Sequence, residues 1–317
     1  MKSVVILNPM ADHGRSQRLA ELIPRWSEKI SHCDLWITEG PGHATALARS
    51  AVDQGFELVI SAGGDGTVHE IVNGLMQEDS LPVPLGIIPW GSGNDYAYGL
   101  NLPDDPHEAF VRIFDGPHCR VDLARLADDR GQTELAMNGI GIGFDATVSI
   151  QTRTITRVHG FAMYMLAVLR TIALYYQTPR LQIRFDDQLV EQRTLMLSIG
   201  IGPRIGGGFL LTPDAIVHDA LLDSCAVNPI GRLTMMRLLP KAMTGNHITS
   251  KHVVMRRSHS IQIISNMALP IHADGEIYAY HEDNVRRLTI TSLPAALTIY
   301  GAAPPSDKPP AMLDRNV

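Results

Sequence analysis

The chain has 317 residues, with 27 Lys and Arg against 33 Asp and Glu, which gives a formal net charge of −6. Hydrophobic residues make up 45% and charged residues 19% of the chain; these proportions are typical of a globular protein and exclude a disordered or fibrous one. The mildly acidic balance argues against a general nucleic-acid-binding protein, and the length suits one large domain or two of ordinary size.

Cysteine usage and hydropathy indicate the compartment. The three cysteines, Cys33, Cys119 and Cys225, lie far apart, which argues against a disulfide framework or a zinc cluster and suits a reducing cytoplasm. The apolar run at residues 4–7 is too short for a signal peptide. The most apolar helical stretch, residues 161–176, contains an arginine, whereas a membrane span needs about 20 apolar residues. We therefore expect neither secretion nor a membrane-spanning helix.

The first third of the sequence alternates strand and helix patterns. Short β-branched or apolar runs predict strands, and apolar residues at helical spacing between them predict helices. Repeated β-α-β units of this kind imply a parallel sheet with helices on its faces. The predicted strands are residues 3–7, 34–38, 57–61 and 85–88, and the predicted helices are residues 19–30, 44–51 and 68–76.

After residue 120 strand patterns dominate, and apolar and polar residues alternate in several of them. This pattern predicts a mainly antiparallel second domain that contains two helices. The predicted strands are residues 121–126, 135–142, 181–185, 194–201, 224–227, 261–264, 288–291 and 296–300, and the predicted helices are residues 161–174 and 233–243.

These patterns predict two domains, at residues 1–121 and 122–294. The segment 295–301 could return to complete the first domain, after a turn at Pro294. The proline-rich tail, residues 302–317, is expected to be disordered.

The strongest motif is Gly-Gly-Asp-Gly-Thr at residues 63–67, between a predicted strand and a predicted helix. Glycines there let the backbone approach a ligand, and the helix N-terminus favours a phosphate. Asp65 would repel phosphates unless a cation intervenes, which suggests Mg²⁺. The alternative is a tight turn in which Asp65 and Thr67 cap the helix. The motif is neither a Walker A loop nor a Rossmann fingerprint.

A second motif, Pro-Trp-Gly-Ser-Gly-Asn-Asp-Tyr-Ala at residues 89–97, follows the predicted strand 85–88. Asn8 follows the first strand, and Thr38 ends the second. Four successive strands thus end in polar or glycine-bearing residues, at the edge where open α/β sheets bind ligands. Each loop alone is ordinary, so the prediction depends on their convergence.

Residues 63–67, the segment 91–97 and the early Asn8-Pro9 resemble the diacylglycerol kinase catalytic superfamily, which includes bacterial soluble lipid kinases, sphingosine kinases and ceramide kinases. Ordered matches continue along the chain from about residue 4 to residue 300. They are Gly-Gly-Gly at 206–208, Pro-Asp-Ala at 213–215, Asp-Ala-Leu-Leu-Asp at 219–223 and Asp-Gly-Glu at 274–276.

The resemblance implies an ATP- and Mg²⁺-dependent lipid kinase with an α/β nucleotide-binding domain and a C-terminal antiparallel β-sandwich that takes the lipid acceptor. ATP would lie between the two domains, and Asp65 would organise a catalytic Mg²⁺ through water. The residues implied to bind the nucleotide are Asn8, Thr38, Gly63, Gly64, Asp65, Gly66, Thr67, Val68, His69 and Ser92.

The resemblance also implies that Asp274 or Glu276 is the general base for the acceptor hydroxyl, and it favours Glu276 with Asp274 as its partner. Because alternate residues of a strand share a face, the two carboxylates could point together, and their proximity would raise one pKa. The alternative from local sequence is an Asp-Gly turn followed by a solvent-facing Glu.

A structural Mg²⁺ is implied at Asp219, with main-chain oxygens of Ile216 and Leu221. Ala220 stands where the family commonly has glycine, and Trp90 stands where an aliphatic residue is usual.

The segment 10–14 lacks the usual Ser-Gly that follows Asn-Pro. Arg15 could still reach the phosphates from there.

Two long segments of the second domain carry arginine or lysine but no Asp or Glu. One hypothesis is peripheral contact with an anionic membrane surface, at its inner, cytoplasmic face. The alternative is solvated surface around core helices. The basic residues are Arg153, Arg157, Arg170, Arg180 and Arg184 in segment 146–185, and Arg232, Arg237, Lys241, Lys251, Arg256 and Arg257 in segment 228–260.

Three functions stay open at this point. A lipid kinase of phospholipid metabolism that phosphorylates a diacylglycerol-like, phospholipid or sphingoid hydroxyl is favoured. An NAD kinase shares the glycine-rich loop, but Asn8-Pro9 and the segment 91–95 argue against it. A non-catalytic nucleotide- or lipid-binding regulator is the third, and the altered segment 10–14 is its main support. A homodimer is a further expectation, whereas a nucleic-acid partner is not expected.

Overall fold

The structure is a computed structural model that describes residues 1–14, 16–76, 83–155, 158 and 160–303. The described chain forms two compact units, one comprising Met1–Asp122 and residues 294–303, the other comprising Leu123–Leu293. The predicted tail from residue 304 onward, together with Arg15 and Arg157, lies outside the described residues.

The first unit alternates strands and helices along the chain. They are β1 (Ser3–Leu7), α1 (Gln17–Lys29), β2 (Cys33–Ile37), α2 (His43–Asp53), β3 (Leu58–Gly63), α3 (Asp65–Leu75), β4 (Leu85–Pro89), α4 (Asp95–Gly99) and α5 (Pro106–Asp115).

The strands of the first unit form a parallel sheet in the order β2–β1–β3–β4. Val5, Leu7 and Ile60 of its central strands are fully buried and pack against Leu19 of α1 and Phe110 of α5. Burial on both faces explains why these strands are near-continuous apolar runs. The predicted α/β fold with a mainly parallel sheet is confirmed.

The second unit is mainly β. Its elements, including two strands that run across the unit boundaries, are β5 (His118–Asp128), β6 (Thr133–Ala136), β7 (Gly139–Gly143), α6 (Phe144–Thr152), α7 (Gly160–Leu174), β8 (Arg180–Phe185), β9 (Gln188–Arg193), β10 (Met196–Gly200), β11 (Leu222–Val227), α8 (Arg232–Met243), β12 (Val253–Ser258), β13 (Ser260–Ser265), β14 (Ile271–Ala273), β15 (Glu276–Ala279) and β16 (Arg287–Tyr300).

Two antiparallel layers form this unit. One has the order β12–β11–β10–β7–β14–β15, and the other places β13 between β8 and the first part of β16, with β9 beyond β8. Ile142 and Leu197 of the first layer share one buried cluster with Ile183, Ile261 and Leu288 of the second. The predicted antiparallel sandwich is therefore confirmed.

Two strand predictions were wrong. The run 135–142 is not one strand but two, β6 and β7, because the N–H groups of Met137 and Asn138 between them donate to the Asp274 carboxylate. Nor does Pro294 begin a turn, because β16 runs through it. Ala295 takes a left-handed φ of 48° there, and its N–H donates to Asp122 Oδ1 at 2.7 Å, which supports the local distortion.

Helices α7 and α8 are neighbours in the second unit. Arg232 Nε at the start of α8 donates to the carbonyl oxygen of Ile172 in α7 at 2.9 Å. In the part of the chain that the structure describes, no helix combines the length and the apolar character needed to cross a bilayer.

Candidate functional site

The segments that follow the parallel strands of the first unit lie side by side. Three of them begin with a main-chain N–H that donates to the neighbouring strand. The bonds are Asn8 N to Ala62 O at 3.0 Å, Thr38 N to Leu7 O at 2.9 Å and Trp90 N to Gly63 O at 2.9 Å.

The glycine-rich motif forms the turn from β3 into α3. Gly64 is extended, with φ −90° and ψ −174°, and α3 begins at Asp65. The N–H groups of Thr67 and Val68 donate to Gly64 O at 3.0 and 3.2 Å, which closes the first turn. A helix start of this kind presents main-chain N–H groups and a partial positive charge to an anion.

Glycine is needed where the two predicted motifs touch. A Cβ on Gly91 would lie 2.5 Å from Gly64 Cα, and a Cβ on Gly63 would lie 2.5 Å from Thr67 Oγ1. Both distances are shorter than van der Waals contact, so a side chain at Gly91 would force the two backbones apart, and one at Gly63 would displace the Thr67 side chain. The loops after β3 and β4 thus meet backbone to backbone.

Two hydrogen bonds tie the strand ends to one another. Asp65 Oδ1 accepts the N–H of Tyr96 at 3.1 Å, and Asn8 Nδ2 donates to Thr67 Oγ1 at 3.0 Å. Asp65 is partly exposed in the first turn of α3, where the helix dipole stabilises a carboxylate. Its oxygen donors suit Mg²⁺, which is bound in proteins by one or two carboxylates with water and phosphate oxygens.

The predicted nucleotide residues differ in how open they are. Gly64, Asp65 and Gly66 are partly exposed, and Ser92 is exposed. The side chains of Thr38, Thr67, Val68 and His69, in contrast, are all buried. The structure therefore does not present the Val68 and His69 side chains to solvent.

The Asp-Gly-Glu segment of the second unit differs from the geometry expected for alternating strand residues. Asp274 and Gly275 have φ of 54° and 88° and form the turn between β14 and β15, as an Asp-Gly hairpin turn does. Only Glu276 belongs to a strand. The shared strand face predicted for the two carboxylates was therefore wrong.

The two carboxylates have different partners. Asp274 accepts the N–H groups of Met137, Asn138 and Gly139 at 3.0, 2.9 and 2.9 Å. Glu276 is 45% exposed and accepts from Arg153 Nη2 at 2.6 Å. Asp274 thus organises the main chain between β6 and β7, while the carboxylate of Glu276 is open to solvent.

A buried polar network lies next to this turn. His272 Nδ1 accepts the N–H of Gly275 at 3.2 Å, and His272 Nε2 lies 3.6 Å from Asp145 Oδ2. Asp145 Oδ2 also accepts from the Ser198 hydroxyl at 2.5 Å. Burial by itself would raise the pKa of Asp145, but His272 and then Ser198 hold that pKa below its ordinary value.

An apolar pocket opens beside Asp145. Apolar side chains of α6, α7 and α8 line it, among them Val148, Ile172 and Leu239. Asp145 and the buried His247 supply polar groups to its wall. A pocket of this kind, apolar with a few polar groups, is the usual form of a small-ligand site.

The segment implied to hold a structural metal forms a tight loop. Ala220 adopts a left-handed φ of 66°, the conformation that glycine would take at lower cost. Asp219 Oδ1 accepts the N–H of Leu221 at 3.0 Å, and Asp219 N donates to Ile216 O at 3.4 Å. The replacement of glycine by alanine therefore leaves the turn intact.

Asp223, at the end of this segment, offers a further oxygen. Its Oδ1 accepts from Arg257 Nε at 2.9 Å, whereas Oδ2 is buried with no hydrogen-bond partner among the described residues. Burial raises the pKa of Asp223 to about 6; Arg257 opposes this rise, and Asp219 and Asp214 add to it. A buried carboxylate oxygen beside other acids fits an oxygen-bound cation. Within the described ranges, however, no group of three or more His, Cys, Asp and Glu residues could hold a metal on its own.

Sequence reasoning missed the contacts that join distant residues. Asp145 meets His272, and Arg153 meets Glu276, across 123 or more positions of the chain. The local signal was weak, because α6 buries polar residues such as Ser149 and Gln151 and so lacks a clear apolar periodicity. The glycines at 139, 141 and 143, just before Asp145, are a local sequence feature that indicates a close approach of other groups to β7.

Two family models match the chain. The diacylglycerol kinase catalytic domain matches residues 2–126, and the YegS C-terminal NAD kinase beta sandwich-like domain matches residues 138–301. The two matches cover the α/β unit and most of the sandwich, respectively.

Curated relatives cover most of the chain. A Chromohalobacter salexigens protein named "Probable lipid kinase YegS-like" is 34% identical over 86% of this chain and 86% of its own length. A Mycobacterium tuberculosis protein named "Diacylglycerol kinase" is 30% identical over 94% of each chain. A crystal structure of a diacylglycerol kinase from Bacillus anthracis matches with a TM-score of 0.70 at 22% identity, over 96% of this chain and 97% of that one, and shows the fold alone. The chain belongs to the family of diacylglycerol kinases and YegS-like lipid kinases.

Proposed function

We propose that this chain is an ATP- and Mg²⁺-dependent lipid kinase that phosphorylates a hydroxyl of a diacylglycerol-like, phospholipid or sphingoid lipid. The observation that carries this proposal is the close approach of Gly64 and Gly91. Because neither residue has a side chain, main-chain groups lie beside the N-terminus of α3 and Asp65. Family membership supports the lipid acceptor.

The phosphates of ATP bind at the start of α3. Gly64 and Gly66 carry no side chain there, so the main-chain N–H groups can approach the phosphate oxygens. Asn8, Thr38 and Ser92 complete the site from the neighbouring strand ends, and residues 67–69 shape it as the first turn of α3, where the N–H groups of Thr67 and Val68 donate to Gly64 O. Asp65 would hold Mg²⁺ through water, and the cation would supply positive charge beside the phosphates.

Transfer forms a bond between the acceptor oxygen and the γ-phosphorus and breaks the bond from that phosphorus to the bridging oxygen of ADP. The hydroxyl proton needs a base. Glu276 is better suited than Asp274, because its carboxylate is open to solvent while Asp274 already accepts three main-chain N–H groups. Asp274 then has a structural role, because its carboxylate fixes the main chain between β6 and β7.

A second, structural Mg²⁺ is proposed at Asp219, with the main-chain oxygens of Ile216 and Leu221. The buried Oδ2 of Asp223 supports it, since that oxygen has no hydrogen-bond partner among the described residues. The cation would fix the loop and take no part in the transfer.

The hydrocarbon chain of the acceptor enters the apolar pocket of the second unit. Its walls, from α6, α7 and α8, offer the apolar surface that an acyl or sphingoid chain buries. Apolar walls distinguish such chains poorly, so the pocket supports a lipid without choosing among the three classes.

The outer faces of α7 and α8 meet an anionic membrane surface. On α7, Ala162, Leu166, Leu169 and Ala173 are exposed at helical spacing, and α8 exposes Leu233, which is 66% accessible. Exposed apolar side chains on neighbouring helices mark an interaction surface.

The charges of the two helices complement an anionic surface. Neither helix contains Asp or Glu, and Arg170, Arg237 and Lys241 are exposed on them. Basic residues near such a membrane contribute about 1 kcal/mol each. The homodimer expected above stays a prediction.

The decisive experiment incubates the full chain with γ-labelled ATP, Mg²⁺ and separate acceptors: diacylglycerol, a sphingoid base, phospholipids and NAD. Label in a lipid, lost in Asp65→Asn and Glu276→Gln, is the expected result. Label in NADP only would favour an NAD kinase, and ATP binding without transfer to any acceptor would favour a regulator. Unchanged turnover in both variants would overturn the assigned residues.

A further inference from the structure

Helix α6 contacts the Asp-Gly-Glu turn at both of its ends. Asp145, in its first turn, lies 3.6 Å from His272, which accepts the N–H of Gly275. Arg153, which caps its C-terminus, donates to the Glu276 carboxylate at 2.6 Å. One helix therefore lies beside the histidine that accepts the middle main-chain amide of the turn and directly contacts the side chain that follows that amide.

The contacts of His272 distinguish its two ring nitrogens. Nδ1 accepts the N–H of Gly275, so a neutral ring carries its proton on Nε2, which faces Asp145. Both side chains are buried, His272 completely. Nε2 has no hydrogen-bond partner among the described residues, so the nearby Asp145 carboxylate favours a proton on Nε2 by its charge rather than by a hydrogen bond.

The central strand leaves space for this pair. Gly141 of β7 is the register partner of His272 in β14 and of Ser198 in β10. A Cβ on Gly141 would overlap His272 Nε2 and would lie 2.6 Å from Asp145 Oδ2. The sheet therefore lacks a side chain at the point where the imidazole and the carboxylate meet.

A purely structural role explains this arrangement poorly. An Asp-Gly hairpin turn forms without help from a buried histidine. A buried carboxylate and imidazole also cost desolvation energy that apolar residues of similar volume would avoid. The network ends at the amide of Gly275, directly before Glu276, which is the residue whose position matters most for proton transfer.

We propose that α6 is the positioning element of Glu276, acting through Asp145 and His272 on the Gly275 amide and through Arg153 on the carboxylate. The proposal rests on the assignment of Glu276 as base. His272 and Arg153 are positioning residues, since neither is assigned a contact with substrate. A displacement of the base by about 1 Å is enough to slow catalysis by up to 100-fold.

Two isosteres separate the contacts of His272. Asn places its Oδ1 where Nδ1 stands and keeps the acceptor for Gly275, whereas Gln places its amide where Nε2 stands and keeps only the contact with Asp145. We expect His272→Gln to lower kcat about tenfold with unchanged KM for ATP and lipid, and His272→Asn to retain kcat within about threefold. If both variants lose kcat to the same extent, and Tm falls equally in both, the role of His272 is structural.

Arg153 gives a test that does not depend on core folding, since its side chain is 46% exposed. Arg153→Gln is expected to lower kcat about threefold with unchanged KM and unchanged Tm. Arg286→Gln is the matched control, because Arg286 is an exposed arginine of the same unit whose Nε donates to Asn284 Oδ1 at 3.0 Å. A kcat that is unchanged or raised in Arg153→Gln contradicts the proposal.

Hydrogen exchange provides a measurement that needs no enzymatic activity. We expect the amides of residues 271–280 to exchange faster in His272→Gln than in the native protein, and slowly in His272→Asn. Equal exchange in all three proteins overturns the positioning role. A native protein that transfers no phosphate, but shows the expected exchange pattern, overturns the lipid kinase assignment and leaves the positioning of the turn supported.

Discussion

The Gly-Gly-Asp-Gly-Thr loop of the first unit and the Asp-Gly-Glu turn of the second are both short motifs of Asp and Gly, but they are fixed in different ways. The loop is built from main chain, through the close approach of Gly64 and Gly91 and the helix start at Asp65. The turn is held by side chains, above all the nearby His272, three positions before Gly275, and Arg153, 123 positions from Glu276. A main-chain site tolerates no added atom, whereas a side-chain site tolerates any replacement that keeps its hydrogen bonds.

The largest effect is expected for the charge at the main-chain site. Asp65→Asn keeps an oxygen that can accept the Tyr96 N–H, so the loop should fold. The variant loses the negative charge proposed to hold Mg²⁺, and kcat should fall about 1000-fold. Phosphate transfer and the thermal midpoint are measured together. A small loss of kcat at an unchanged midpoint would assign Asp65 to capping alone.

A single methyl group should damage the same site. The Cβ of Gly91→Ala would lie 2.5 Å from Gly64 Cα, so the two loops must separate, and kcat/KM for ATP should fall about 100-fold. Gly231→Ala is the control, because a Cβ there meets nothing within 4 Å. ATP affinity measured by calorimetry checks the result. Similar affinities in both variants would show that the contact of the loops does not shape the nucleotide site.

A negative charge on the outer face of α8 should weaken the binding of the protein to anionic membranes. Leu233→Glu puts a carboxylate on the proposed membrane face, and binding to anionic vesicles should fall about tenfold. Leu189→Glu is the matched control, since Leu189 of β9 is also an exposed leucine, 55% accessible. Vesicle sedimentation at low salt gives the partition. An equal loss in both variants would remove α8 from the membrane face.

The last prediction concerns stability rather than activity or binding, and tests the contribution of the buried pair. Because the pKa of Asp145 is lowered in the folded protein, its contribution is present above the unfolded pKa and is lost as pH falls through the folded value. Asp145→Asn should therefore cost about 2 kcal/mol of unfolding free energy at pH 7, and this difference should shrink below about pH 4. Denaturant unfolding between pH 3 and 7 gives the difference, and a constant difference would contradict the shift.

Local patterns predicted most elements because burial imposes them. The fully buried strand β1 and the alternating strand β8 have simple apolar patterns. Helix α6 was missed, since its buried side includes Asp145, Ser149 and Gln151. Residues 135–142 were predicted as one strand, and the break between β6 and β7 within them depends on the Asp274 carboxylate, more than 130 residues away along the chain.

The candidate site divides in the same way. The strand ends of the first unit follow from the parallel order of the sheet, so Asn8, Thr38 and Asp65 could be named from sequence. His272 could not be named from sequence, because its role depends on its contacts with Gly141 and Asp145 on other elements. A site built from main chain at a strand end shows a local pattern of glycines in the sequence, whereas a site built from paired side chains shows no such pattern.

The late return of the chain to the first sheet has a consequence for synthesis. β4 obtains its neighbour on one side when Ile299 and Tyr300 pair with Leu85 and Gly86. More than 200 residues separate these partners, which at ribosomal rates corresponds to roughly 10 to 40 s. During that interval the nascent first unit carries an incomplete sheet edge while Leu123–Leu293 emerges. The time in which this chain is open to edge-to-edge aggregation is therefore set by its connectivity.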